Sequence, residues 1–148
     1  MIRAALSLFI DRPPEEVFAF LTKPENHRSW DTLSIEMEQI EPGPWRAGMR
    51  FREVRRIGRR NVEIYSHVAA IEPSRRMDIE SETGPPFKGY WRFEPEGAGT
   101  RLRYRAEMQL SGPMRLVEPL LTVAFRRQLR TNFTRLKRVL EAPAPQPS

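Results

Sequence analysis

Hydrophobic residues recur along this chain with two periods, and the change from one to the other divides it into a sheet and a closing helix. Ile2, Ala4, Leu6, Leu8 and Ile10 lie on one face of a strand with Arg3 and Ser7 on the other. Asp11-Arg12-Pro13-Pro14-Glu15-Glu16 interrupts this strand, and Val17, Phe18 and Leu21 follow at helical spacing. Proline in a first helical turn lacks only a donor that would be orphaned there, and early acids suit the positive end of a helix. The pattern therefore predicts a short helix from Pro14 to Leu21. Lys23-Pro24-Glu25-Asn26 breaks it, and a second short helix leads to Trp30.

From Leu33 to Leu110 the punctuation is that of antiparallel strands. Turn residues stand at Glu41-Pro42-Gly43-Pro44, Ile57-Gly58-Arg59, Glu72-Pro73-Ser74, Gly84-Pro85-Pro86 and Glu96-Gly97-Ala98-Gly99. Between the turns, Val62, Ile64, Val68 and Ala70 share one face, Met77 and Ile79 another, and Phe87, Gly89, Trp91 and Phe93 a third. Leu102, Tyr104, Ala106, Met108 and Leu110 alternate with Arg101, Arg103, Arg105, Glu107 and Gln109. One dry face and one wet face describe an antiparallel sheet covered from one side.

The cover comes from the C-terminal part. Ser111-Gly112-Pro113 ends the last strand, and Val117, Leu121, Phe125, Leu129, Phe133, Leu136 and Leu140 then recur every three or four residues. Pro119 either starts this helix or kinks it. The expected division is one α+β domain over residues 1–141, followed by a disordered proline-rich tail at 142–148.

Composition narrows the function classes. The sequence has 148 residues, enough for one domain with a useful core. With no cysteine it has no disulfide, thiolate nucleophile or cysteine-bound metal, which fits a reducing, cytoplasmic setting. Apolar runs fall short of the roughly 20 residues of a membrane span, and Met1–Ile10 reads as a strand rather than a leader. Basic residues exceed acidic ones by 25 to 19. Between Met114 and Leu140 stand Arg115, Arg126, Arg127, Arg130, Arg135, Lys137 and Arg138 against Glu118 alone. That excess of six equals the whole net charge, so the rest of the chain is balanced.

Local sequences carry a resemblance. Pro14-Glu15-Glu16-Val17-Phe18-Ala19-Phe20-Leu21, then Pro24-Glu25-Asn26 and Trp30, then Ile71-Glu72-Pro73, Gly99-Thr100-Arg101-Leu102 and Leu136-Lys137-Arg138-Val139-Leu140-Glu141, stand in the order strand, two short helices, six strands, long helix. In this the chain resembles the START-like helix-grip (SRPBCC) superfamily of polyketide cyclases/dehydrases, lipid-transfer proteins and the pollen-allergen fold. The resemblance implies a curved seven-stranded antiparallel sheet wrapped around the long C-terminal helix, with a ligand cavity between them. It does not choose a reaction.

The residues expected to line that cavity are Met77, Ile79, Trp91, Phe93, Tyr104, Met108, Phe125 and Leu129, methionine being adaptable to varied ligands. Polar residues on apolar faces are informative, because burying one unpaired costs about 1–3 kcal/mol. Gln128 and Asn132 fall inside the apolar arc of the long helix, Arg135 lies at its edge, and Glu53 and Arg55 share a strand face with Phe51. One arrangement pairs Glu53 with Arg55 or Arg135 and leaves Gln128, Asn132 and Tyr104 to orient the polar end of a ligand. The other makes the pair a plain internal salt bridge.

His27 and His67, in different elements without ligand-type spacing, read as surface residues, so no metal is expected. No cofactor fingerprint is present, and no cofactor is expected. Three functions remain open at this point. A non-catalytic binder or carrier of a small hydrophobic molecule (lipid, quinone or polyketide) needs only the cavity. A cyclase/dehydratase-type enzyme would use Glu53 or Tyr104 as acid or base. A surface role would use the basic helix against an anionic membrane or a second subunit, since Leu116, Leu120 and Val123 fall outside its apolar arc. Nucleic acid is not an expected partner, for want of exposed aromatics among the arginines.

Overall fold

The computed structural model describes residues 1–143. The expected tail therefore lies mostly outside the described residues. Seven strands form one antiparallel sheet: β1 (Ile2–Ile10), β2 (Ser34–Gln39), β3 (Arg50–Ile57), β4 (Arg60–Glu72), β5 (Arg76–Ser81), β6 (Phe87–Glu96) and β7 (Gly99–Met108). Their spatial order, β1-β7-β6-β5-β4-β3-β2, makes β1 and β2 the two edges. Between these edge strands the chain forms α1 (Pro14–Leu21), a 3-10 turn (Pro24–Asn26) and α2 (His27–Trp30). After β7, a 3-10 segment (Gly112–Val117) leads into α3 (Glu118–Glu141). At about 1.5 Å per residue, the 24 residues of α3 span about 36 Å. Pro119 sits in its first turn, so it starts the helix and does not kink it.

Register puts the apolar residues on one concave face. Met77 pairs with Trp91, Trp91 with Tyr104, and Tyr104 with Leu6. Phe51 pairs with Ser66, and Glu53 with Ile64. One sequence expectation fails here. A bulge between Val68 and Ala70 reverses the parity of β4, so Ile71 pairs with Met77 while Ala70 pairs with Asp78 on the outer face. The outer face carries ion pairs such as Arg103–Glu94 and Arg101–Glu96.

The core has two parts. The larger joins Ile10, Val17, Leu21, Trp30, Trp91, Phe93, Leu102, Tyr104, Phe133 and Leu136. The smaller is Met49, Phe51 and Val68, with Trp45 packed against both parts. Helix α3 makes its close backbone approaches to β1 and α2 and stands off from the middle strands. Side chains must fill the space beneath it, and they fill it unevenly. Asn132, Phe133 and Leu136 are buried, whereas Leu121, Phe125 and Leu129, nearer its start, are half-buried.

Candidate functional site: an apolar groove beside a buried charge cluster

The uneven filling leaves a strip of half-buried apolar side chains, the candidate groove, beneath the first half of α3. At its deep end Trp91 packs against Trp30, Phe93, Tyr104 and Phe133, with ring centroids 4.7–6.5 Å apart. Met77, Trp91 and Phe93 are thus sealed core. Ile79, Phe87, Met108, Phe125 and Leu129 face the same interior but are only half-buried, so an apolar surface opens beneath the first half of α3. The cavity expected from sequence is, at its deep end, filled by aromatic rings, and toward the start of α3 its expected lining is half-buried.

The sheet beneath this strip carries small, enclosed residues. Ala4, Ala106 and Gly89 are consecutive neighbours across β1, β7 and β6. A Cβ on Gly89 would lie 3.1 Å from the Tyr104 hydroxyl, so the glycine makes room for the ring. Burial raises the pKa of that hydroxyl, with Asp31 and Glu53 adding to the rise and Arg55 opposing it, so it stays protonated. No protein hydrogen bond engages it among the described residues.

Beside the groove, where the short helices meet β3 and α3, four charged side chains meet out of water. Asp31 caps the end of α2 and accepts from the Leu33 amide at 3.1 Å. Arg55 donates to both its oxygens, at 2.7 and 3.3 Å, and to Glu53 at 3.0 Å. His27 Nε2 lies 2.9 Å from Glu53 and 3.3 Å from Asp31. Asn132 on α3 donates to Asp31 at 3.2 Å and accepts from the Thr32 backbone amide, the Thr32 hydroxyl and Gln128. Glu53 is therefore inside and paired, with Arg55 and not Arg135, whose guanidinium donates to the Ser29 carbonyl. The amides of Asn132 and Gln128 are engaged in tying α3 to the loop after α2.

The electrostatics follow from the geometry. Burial alone would lower the pKa of His27, but hydrogen bonds and charge from Asp31 and Glu53 outweigh it and hold it at about 9. Burial would raise Asp31 and Glu53, yet His27 and Arg55 outweigh it and lower both, Asp31 far below the usual carboxylate range. At neutral pH the cluster is two cations and two anions, with no net charge. A Glu53 held ionised is no proton donor, and its basicity is weakened.

Two features escaped the sequence reading. His27 is mostly buried, not a surface residue, and Asp31 was not singled out at all. The visible signal was their spacing of four on a helix ending at Trp30, which puts both on one face. Ligand-type atoms of His27, Asp31 and Glu53 lie within 4.8 Å of one another, close enough for a cation by distance. Arg55 already bridges the two carboxylates, and a metal would have to displace both that guanidinium and the imidazole proton. His67, on the outer face between Glu80 and Glu82, is the surface histidine the sequence predicts.

Comparison with known proteins agrees with this architecture. No curated protein matches the sequence. Among solved structures, TTHA0849 from Thermus thermophilus superposes with a TM-score of 0.79 at 20% identity, covering 93% of this chain and 96% of that one. The di-domain ARO/CYC BexL from the BE-7585A biosynthetic pathway gives 0.75 at 18%, covering 93% of this chain and 46% of that one. Ara h 8.0201 gives 0.69 at 10%, covering 93% and 96%. Identities this low speak for the fold alone. The family described as polyketide cyclase / dehydrase and lipid transport matches residues 1–141, and the chain belongs to that family.

Proposed function

We propose that this chain binds a small hydrophobic molecule, of lipid, quinone or polyketide type, in the groove between the sheet and the first half of α3. The observation that carries the reading is that α3 stands off from the middle strands and leaves Ile79, Phe87, Met108, Phe125 and Leu129 inward-facing but only half-buried. Apolar surface of that kind gains about 25 cal/mol per Å² when a ligand removes it from water. Tyr104 supplies the polar contact, donating to a carbonyl or quinone oxygen. The lack of cysteine fits a reducing, cytoplasmic setting, and no helix among the described residues is long and apolar enough to cross a membrane.

An uncharged solvatochromic dye with a carbonyl, such as Nile red, tests the reading. It should brighten with the protein, lose the effect with Leu129→Trp, and bind roughly two- to tenfold more weakly to Tyr104→Phe, the range of one hydrogen bond. Brightening that ignores both substitutions would place the dye elsewhere and sink the proposal.

A cyclase or dehydratase is the second reading, favoured by the protonated, unpartnered hydroxyl of Tyr104 at the groove. In that case Tyr104, and not Glu53, is the acid. Turnover of a reactive polyketide chain that survives Glu53→Gln but not Tyr104→Phe would support it, and the reverse would remove it. Contact with an anionic membrane and pairing of two copies are separate proposals about the exposed face of α3, not about the groove.

A further inference from the structure

The solvent face of α3 changes character along its length. Leu120, Val123, Arg127, Arg130, Thr134 and Arg138 succeed one another at three- and four-residue steps, opposite the buried Phe133 and Leu136. At the start of this row Leu120 is 73% and Val123 59% exposed, and the preceding 3-10 segment adds Leu116 at 86% and Met114 at 49%. Large apolar side chains this exposed, within two turns of one another, are costly in water and mark a contact surface.

The charge on this face is also unspent. Several arginines on the outer sheet face are ion-paired, as in Arg101–Glu96 and Arg103–Glu94, while Arg105 stacks on the Tyr90 ring. By contrast Arg115, Arg127, Arg130 and Arg138 have no ion-pair partner among the described residues, and Glu118 pairs with the amino group of Met1. Arg130, Arg135 and Arg138 line an open groove of about 460 Å³ together with the hydroxyl-bearing Thr32, Thr131 and Thr134, and no carboxylate lines it. Guanidinium and hydroxyl donors without an acid form a seat for a phosphate.

We propose that the face running from Met114 to Arg138 docks on an anionic lipid bilayer. Leu116, Leu120 and Val123 enter the boundary between headgroups and acyl chains, while a lipid phosphate sits in the groove of Arg130, Thr134 and Arg138. Leu120 and Thr134 are 14 residues apart, about 21 Å along the helix axis, so both reach the surface only if α3 lies in the membrane plane. A second copy of the chain is the poorer occupant, because isologous pairing through Leu116, Leu120 and Val123 would leave the groove of Arg130, Arg135 and Arg138 without an anion. A free phosphate would leave the leucines uncovered.

The experiment is co-sedimentation of the full chain with vesicles of phosphatidylcholine alone or mixed with phosphatidylglycerol, alongside light scattering for oligomeric state. Expected is binding to the mixed vesicles, little to phosphatidylcholine, and loss of binding at high salt. Arg130→Gln with Arg138→Gln should weaken it about 25-fold, some fivefold for each charge removed. Leu116→Asp with Leu120→Asp should abolish it while far-UV circular dichroism and Nile red binding stay unchanged, which separates this surface from the ligand groove. Equal binding to both vesicles, indifference to the arginine pair, capture of inorganic phosphate without vesicle binding, or a dimer broken by the leucine pair would each overturn the proposal.

Discussion

Asp31 is the carboxylate on which the buried polar cluster turns. It accepts from the Leu33 amide, Arg55 and Asn132, and it faces His27, so one side chain joins α2, β3 and α3. Removing one partner of a buried ion pair commonly costs about 3–5 kcal/mol, because the other charge is stranded. Asp31→Leu should fall in that range by urea denaturation. Glu53→Leu should cost less, since Arg55 keeps both oxygens of Asp31. For the same reason, neutralising Arg55 should not rescue Glu53→Leu, because it would strand Asp31 instead. A larger loss from Glu53→Leu than from Asp31→Leu would show that the hierarchy is inverted.

The same cluster sets a pH window. His27 has its pKa raised from 6.5 to about 9, so its stabilising contribution is complete below about pH 6.5 and is lost as pH rises through about 9. Asp31 and Glu53 are shifted down, so their contribution is present above the ordinary carboxylate range and is lost only in stronger acid. Stability should therefore be greatest near pH 5–6.5 and decline toward pH 9–10, by up to roughly 3 kcal/mol from His27. His27→Gln should flatten that alkaline decline. An imidazole titration by NMR with its midpoint near 6.5 would contradict the buried pairing.

At the scale of elements, α3 is two helices in function. Its second half is pinned by Phe133 and Leu136, and its first half bridges the groove. Leu136→Ala should cost about 2–5 kcal/mol, as for a fully buried leucine, whereas Leu120→Ala should stay within about 0.5 kcal/mol. Thermal or urea unfolding of the two variants decides, and similar losses would mean that the exposed face is packed after all. Gly99 is a second sensitive point: a Cβ there would come within 2.5 Å of the Phe9 ring and 2.6 Å of the Ile10 carbonyl oxygen.

These elements were legible from sequence because each repeats a period over many residues. Alternation from Leu102 to Met108 gives β7, and the three- and four-residue recurrence from Leu121 to Leu140 gives α3. Glu53 was placed inward because β3 has no bulge between Phe51 and Arg55. Ala70 was misplaced because a single bulge in β4 leaves no sequence mark. The cluster partners His27 and Asp31 were missed for a different reason. Their spacing of four is a faint mark in a helix of only four residues, and the two side chains acquire their meaning only when β3 and α3 close over them.

For the whole molecule, the balance between packing and opening decides what it does. The deep aromatic cluster supplies the stability that lets α3 stand off elsewhere. Substitutions to tryptophan therefore report different things at different sites. Ala106 is fully enclosed, so Ala106→Trp overpacks a sealed core and should destabilise the fold. Leu129 borders the open groove, where added volume displaces a ligand and not a neighbour. Native mass spectrometry of gently purified protein tests the central claim most directly. The account predicts a population carrying a noncovalent lipophilic adduct of a few hundred daltons, absent from Leu129→Trp at unchanged circular dichroism. A protein that flies only at its bare mass, and takes up no added long-chain lipid or quinone, would contradict it.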